Sequence, residues 1–154
     1  MGLKSVLSAQ IEVKANKDVF HDVYRHTPHH ISTMCPSHIH SCELIGGVFE
    51  TVGSKLFWMY NLGNKKEKKH SKKIIEAIDD GKNMITFKEF EGDLVDKYDN
   101  GKATLHIEQK DEIDLVCWTI EYERPNDNAP ELINLLDFIV DMTKAIDDHY
   151  VKIN

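Results

Sequence analysis

The hydrophobic period of this chain changes from strand-like to helical near residue 130, and that change limits the folds open to it. From His38 to Glu123 the pattern is short runs rich in Ile, Val, Thr, Phe, Trp and Tyr, separated by turn signals such as "LGNKK", "DDGKN" and "QKDEID". The clearest run sets Val116, Trp118, Ile120 and Tyr122 against Cys117, Thr119, Glu121 and Glu123, the two-residue alternation of a strand with one buried face. After "RPNDNAP" the spacing becomes helical: Leu132, Leu135, Leu136, Ile139, Met142, Ala145 and Ile146 mark a helix of about twenty residues, with Pro130 near its start. Ile133, Phe138 and Val140 widen that stripe beyond a coiled-coil seam, so one broad surface has to cover it. A strongly curved sheet is the natural cover.

The segment before His38 supplies the remaining elements. Within residues 4–14, Ala9, Ile11 and Val13 alternate with Gln10, Glu12 and Lys14, which predicts a further strand. Asn16 is a good N-cap for "KDVFHDVYRH", whose Val19, Phe20, Val23 and Tyr24 share a helical face. Thr27 and Pro28 then open a second short helix, which Pro36 stops. With six strands between His38 and Glu123, the expected total is seven. Their short connections require antiparallel neighbours, because parallel ones need crossovers of a dozen or more residues. The expected architecture is α+β: a strand, two short helices, six strands, and a terminal helix wrapped by the sheet, in a single domain spanning 1–154.

Composition removes several function classes. The net charge of -7 argues against a nucleic-acid partner. No apolar run approaches the length of a membrane span, and the opening "MGLKSVLSAQIEVK" is too polar for a signal peptide, so neither is expected. Gly2 suits N-myristoylation, but Val6 stands where that pattern needs Ser or Thr. Cys35, Cys42 and Cys117 are an odd set without CxxC spacing, so a reducing, cytoplasmic setting is expected rather than a disulfide framework.

The sharpest local feature is "HTPHHISTMCPSHIH", which holds five of the nine histidines. His26, His29 and His30 have helical spacing and His38 and His40 share a strand face, but two prolines divide them and no metal-binding signature is present. No metal and no cofactor are expected. Cys35 and Cys42 lack the flanks of a catalytic thiol. "GGVFETVGS" lacks the phosphate-loop lysine and precedes a strand, so its glycines serve tight turning. The lysine-rich run Lys65–Lys73 reads either as a solvated, edge-protecting hairpin or as a patch for an anionic surface.

What remains is apolar and aromatic lining. Leu56, Trp58 and Tyr60 share one strand face; Ile85, Phe87 and, by strict alternation, Glu89 share another. A filled core is the ordinary outcome for such residues. If the sheet does not close completely on the helix, they line an apolar pocket with a few polar groups, the usual form of a small-molecule site.

Five blocks carry a wider resemblance: "PHHISTMCPSHIHSCEL", "TVGSKLFWMYNLG", "IIEAIDDGKNMITFKEFEGDLVDKY", "VCWTIEYE" and "LLDFIVDMTKAID". In order and spacing the chain resembles the plant major latex proteins, of the pathogenesis-related class ten superfamily typified by the major birch pollen allergen. The resemblance implies a helix-grip fold with a large internal cavity that accepts a hydrophobic metabolite, hormone or steroid-like ligand, and an association with defence or stress. It also implies an alternative, since some relatives are cofactor-independent cyclases or isomerases. Carried over to this sequence, the inward faces comprise Leu56, Trp58, Tyr60, Ile85, Phe87 and Glu89, with Leu135, Phe138, Ile139 and Met142 from the long helix. Phe20, Tyr24, His30 and Ile31 would border the entrance. If the chain is an enzyme, the candidate proton-transfer groups are Glu89, Tyr60 and His30. Two departures stand out: Glu50 occupies a position where relatives carry glycine, and Glu89 one where they carry an aliphatic residue. A small hydrophobic ligand is the expected partner; neither partner proteins nor integral membrane association are indicated.

Overall fold

The structure is a computed structural model and describes residues 2–61, 68–95 and 97–153. Seven strands form one antiparallel sheet: β1 (Leu3–Val13), β2 (Ile39–Gly46), β3 (Lys55–Asn61), β4 (Lys68–Asp79), β5 (Met84–Gly92), β6 (Asp99–Lys110) and β7 (Ile113–Arg124). Their spatial order is β1-β7-β6-β5-β4-β3-β2, so consecutive strands from β2 to β7 are neighbours and β1 closes onto β7. Helix α1 (Lys17–His26), a 3-10 turn (Pro28–His30) and α2 (Ile31–Met34) carry the chain from β1 at one edge to β2 at the other. Helix α3 (Ile133–Ile153) ends the fold and lies in the grip of the sheet.

Local chemistry explains these boundaries. The Asn16 side chain accepts from the Asp18 amide and caps α1. Pro28 stands at the start of the 3-10 turn, yet Thr27 makes no side-chain cap there, so the proline's fixed φ rather than a hydroxyl starts the second helical segment. The β6–β7 hairpin turns through Asp111 and Glu112, both at positive φ, which aligns Lys110 with Ile113. The "LGNKK" turn and Lys65 to Glu67 of the lysine run lie outside the described residues.

The core is the space between the concave sheet face and the helices. Leu105, Ile107, Val116 and Trp118 project into it from the sheet, Phe138, Ile139, Met142 and Ile146 from α3, and Phe20, Val23 and Tyr24 from α1. Ile133 does not widen the buried stripe as its spacing implies: at the first turn of α3 it is 55% exposed. Both ends of α3 are tied by polar contacts. At its start, Glu131 accepts from Ser5 and Tyr122 and pairs with Arg124, while the Tyr122 hydroxyl accepts from the Leu132 amide at 2.9 Å. Near its end, the Asp147 carboxylate accepts the Ala15 amide at 2.8 Å and the Lys14 amide at 3.1 Å, joining α3 to the β1–α1 corner.

Candidate functional site: an internal cavity between sheet and helix

The sheet does not close completely on α3. A cavity of about 90 Å³ remains, room for several water-sized bodies, and its lining comes from α1, six of the strands, the β5–β6 loop, the β7–α3 connection and α3. Trp58, Tyr60, Phe87, Glu89, Leu135, Phe138, Ile139 and Met142 line it, together with Tyr24, which was expected at the entrance. The other expected residues lie elsewhere. Leu56 and Ile85 do point inward but are sealed in the core beside the cavity, each at most 1% exposed. Phe20 and Ile31 are wholly buried under the helices, so neither borders an entrance. His30 is exposed, with its ring tilted against that of His29 at 4.2 Å between centroids, and is not among the residues lining the cavity.

Residues that sequence reasoning did not place in the lining are Ile39, Lys73, Leu94, Tyr98, the Gly101–Ala103 stretch, Trp118, Ile120, Tyr122 and Leu132. Those on β7 were within reach of the alternation argument, since Trp118, Ile120 and Tyr122 share the buried face. Lys73 was not, because its run of lysines reads as a solvated edge.

Aromatic rings fix the walls. Tyr24 meets Trp118 edge-on at 5.2 Å and Phe87 at 6.1 Å, and Tyr60 lies 5.4 Å from Phe138. The Trp118 indole donates to the Thr143 hydroxyl at 3.0 Å, holding the ring against α3. Two polar atoms in this wall, the Tyr24 hydroxyl and the Trp58 indole nitrogen, are buried with no hydrogen-bond partner among the described residues. Buried polar groups are normally satisfied, so these two atoms are exceptions within an otherwise apolar wall.

The charged end of the cavity is built by an irregularity in the sheet. Between β4 and β5 the register moves from Lys72 opposite Glu91 to Lys73 opposite Glu89, leaving Phe90 as an extra residue. That bulge sets Lys73 and Glu89 directly across from each other on the concave face. Burial pushes the Glu89 carboxyl above the ordinary carboxylate range, a rise opposed by Lys73 and by the hydrogen bond from the Ser71 hydroxyl. Burial likewise lowers the Lys73 ammonium, and Glu89 counters that shift. Desolvation also lifts the Tyr24 and Tyr60 phenols, so both stay protonated donors. The Lys102 ammonium is engaged by Glu76 at 3.2 Å.

The five clustered histidines do not converge. His26 contacts Glu50 at 2.6 Å, the His29 ring is tilted against that of Phe49, and His38 hydrogen-bonds Ser37 and lies 5.5 Å from the Phe138 ring. The glycine-rich loop is a turn in which Gly47, Glu50 and Gly53 all have positive φ. Glu50 therefore holds a left-handed conformation that favours glycine, offset by its contacts with His26 and Arg25.

The model of the Pathogenesis-related protein Bet v 1 family matches residues 2–153. The chain belongs to this family. Its curated relatives include MLP-like protein 34 of Arabidopsis thaliana, 39% identical over 145 residues covering 93% of this chain, and MLP-like protein 43 of the same plant, 37% identical over 93% of this chain. The chain spans 45% of the length of the first and 90% of the second. The crystal structure of ginseng major latex-like protein 151 from Panax ginseng superposes with a TM-score of 0.92 at 34% identity, over 97% of this chain and 99% of that one. The seven-stranded sheet gripping a C-terminal helix is thus the Bet v 1 helix-grip fold. No helix among the described residues is long and apolar enough to cross a membrane.

Proposed function

We propose that this Bet v 1 family member binds and carries a small, mostly hydrophobic molecule in the internal cavity. The observation that carries the reading is the lining itself: apolar and aromatic walls with a few polar groups, among them Lys73, Glu89 and Tyr60, which lie close enough to interact electrostatically. Binding energy would come from apolar surface removed from water at about 25 cal/mol per Å², less the cost of immobilising the ligand. These polar groups would orient it, favouring a metabolite, hormone or steroid-like compound that carries a hydroxyl, carbonyl or carboxylate. Of the expected site residues, the nine that line the cavity are the proposed contacts. The three free thiols support residence in a reducing, cytoplasmic compartment, and membership of a family named for pathogenesis-related proteins supports a role in defence or stress. The test is native mass spectrometry of protein purified from its own tissue, which should retain a stoichiometric small molecule that organic solvent removes. Protein that emerges without any such adduct, and that also fails to take up an apolar fluorescent probe, would overturn the reading.

A second reading rests on one further observation, the Lys73–Glu89 pair. Desolvation draws the pKa values of an acid and a base toward each other inside an apolar chamber, which suits proton transfer during an isomerisation or cyclisation without a cofactor. Under this reading Glu89→Gln abolishes turnover of a reactive carbonyl substrate and leaves apolar-probe affinity unchanged. Turnover that persists in that variant, or its absence across a panel of enols and dialdehydes, refutes catalysis by this pair.

A further inference from the structure

The convex face of the sheet, remote from the cavity, carries a constellation of its own. On the outer face of β6, His106 and Glu108 stand two residues apart, and the register places Cys117 of β7 directly opposite His106. One ligand atom from each of the three lies within 4.8 Å of the others, and the Cys117 thiol is 3.8 Å from Glu108 Oε1. All three side chains are half-buried, which limits their rotamer freedom. The imidazole of His106 has no protein hydrogen-bond partner among the described residues, so its ring nitrogens are uncommitted. On the flanking strands, Gln10 of β1 is the register partner of Cys117 and Met84 of β5 that of His106.

We propose that His106, Glu108 and Cys117 form a binding site for a divalent transition metal of the zinc class. The donor set is one imidazole nitrogen, one carboxylate oxygen and one thiolate, the mixture that zinc accepts at about 2.0–2.3 Å per bond. At tetrahedral angles those bonds put neighbouring donors roughly 3.3–3.5 Å apart, so closing the present spacing takes side-chain adjustments of about an ångström and no backbone movement. Two donors on one strand and a third from its paired neighbour define one triangular face. The fourth position, away from the sheet, is left to water, and the metal would staple β6 to β7. Binding displaces the proton from the Cys117 thiol to solvent and forms the metal–sulfur bond, with no redox change. Gln10, which stands beside Cys117 as its register partner on β1, would support the bound sulfur.

The test is titration of the reduced protein with cobalt(II), a spectroscopic substitute for zinc. The expected result is a one-to-one thiolate-to-cobalt charge-transfer band, bleached by equimolar zinc, with a dissociation constant at or below about 10 μM. Cys117→Ser should abolish the band, while His106→Gln and Glu108→Gln should each weaken binding at least tenfold, all with unchanged far-ultraviolet circular dichroism. Loss of folding in one variant leaves the other two to decide. The proposal is overturned by the absence of a band in the wild-type protein, by a band that survives Cys117→Ser and so belongs to Cys35 or Cys42, or by affinity indifferent to both His106 and Glu108. None of these outcomes bears on ligand binding in the cavity.

Discussion

Filling the cavity should make the protein more stable and unable to bind. Ala103 sits mid-way along β6 with its side chain among the lining groups, opposite Phe87 on one neighbouring strand and Ile120 on the other. Ala103→Leu adds three carbons at that point. If they enter free space, burial at about 0.8 kcal/mol per carbon contributes about 2 kcal/mol to the stability of the ligand-free protein. For a chain of this size that raises Tm by about 4–8 °C. If the core were already filled, the same carbons would cost about 1–3 kcal/mol by overpacking, so the sign of the shift decides between the two. The assay is thermal and urea denaturation of protein stripped of ligand, alongside titration with an apolar fluorescent probe. A raised Tm with lost probe binding is the expected pair of results. A lowered Tm with probe binding intact would refute the assignment of this space as the binding site.

Three further outcomes follow from the same geometry. Thr143→Val leaves the buried Trp118 indole N–H without its acceptor and should lower unfolding free energy by about 1–3 kcal/mol in urea titrations, without altering the apolar lining. Gly92→Ala should cost about 1–3 kcal/mol, because Gly92 has φ +147 and an added Cβ would lie 2.7 Å from the His70 carbonyl oxygen and 3.3 Å from Glu89 Oε1; equal stability in denaturation would contradict this. Glu89 should titrate above free glutamate in carboxyl NMR, and higher still in Lys73→Met, which removes the opposing cation. Because the folded state holds this proton more tightly than the unfolded one, the stability it contributes is complete below the unfolded pKa and is lost as pH rises through the folded pKa. The window for that loss should therefore move upward in Lys73→Met.

Much of the fold is legible in the sequence because each layer has its own period. Two-residue alternation over β7 and helical spacing over α3 identify the two surfaces that meet, and short turns force the strands antiparallel. The inward placement of Glu89 also follows from alternation with Ile85 and Phe87. Its partner does not, because Lys73 faces Glu89 only through the bulge at Phe90, and a one-residue shift of register has no local signal in a run of lysines. The positions of Phe20 and Ile31 escape the sequence for a different reason. An apolar residue on an amphipathic helix is known to face inward, but periodicity does not say whether it meets a void or a packed neighbour. The outer cluster is legible in principle: a two-residue turn at Asp111 and Glu112 aligns Lys110 with Ile113, and counting back along both strands sets His106 opposite Cys117. The histidine-rich stretch is the denser feature, but its two prolines rule out convergence.

Both tryptophans of the chain, Trp58 and Trp118, line the cavity, so selectively excited tryptophan emission reports on that space. The most direct measurement is therefore titration of tryptophan emission with a graded series of apolar ligands bearing one hydroxyl or carboxylate group. A saturable, one-to-one change in the wild-type protein that disappears in Ala103→Leu is the predicted result. Emission that stays constant across the series, or that changes equally in both proteins, would contradict the claim that this cavity is where the protein holds its ligand.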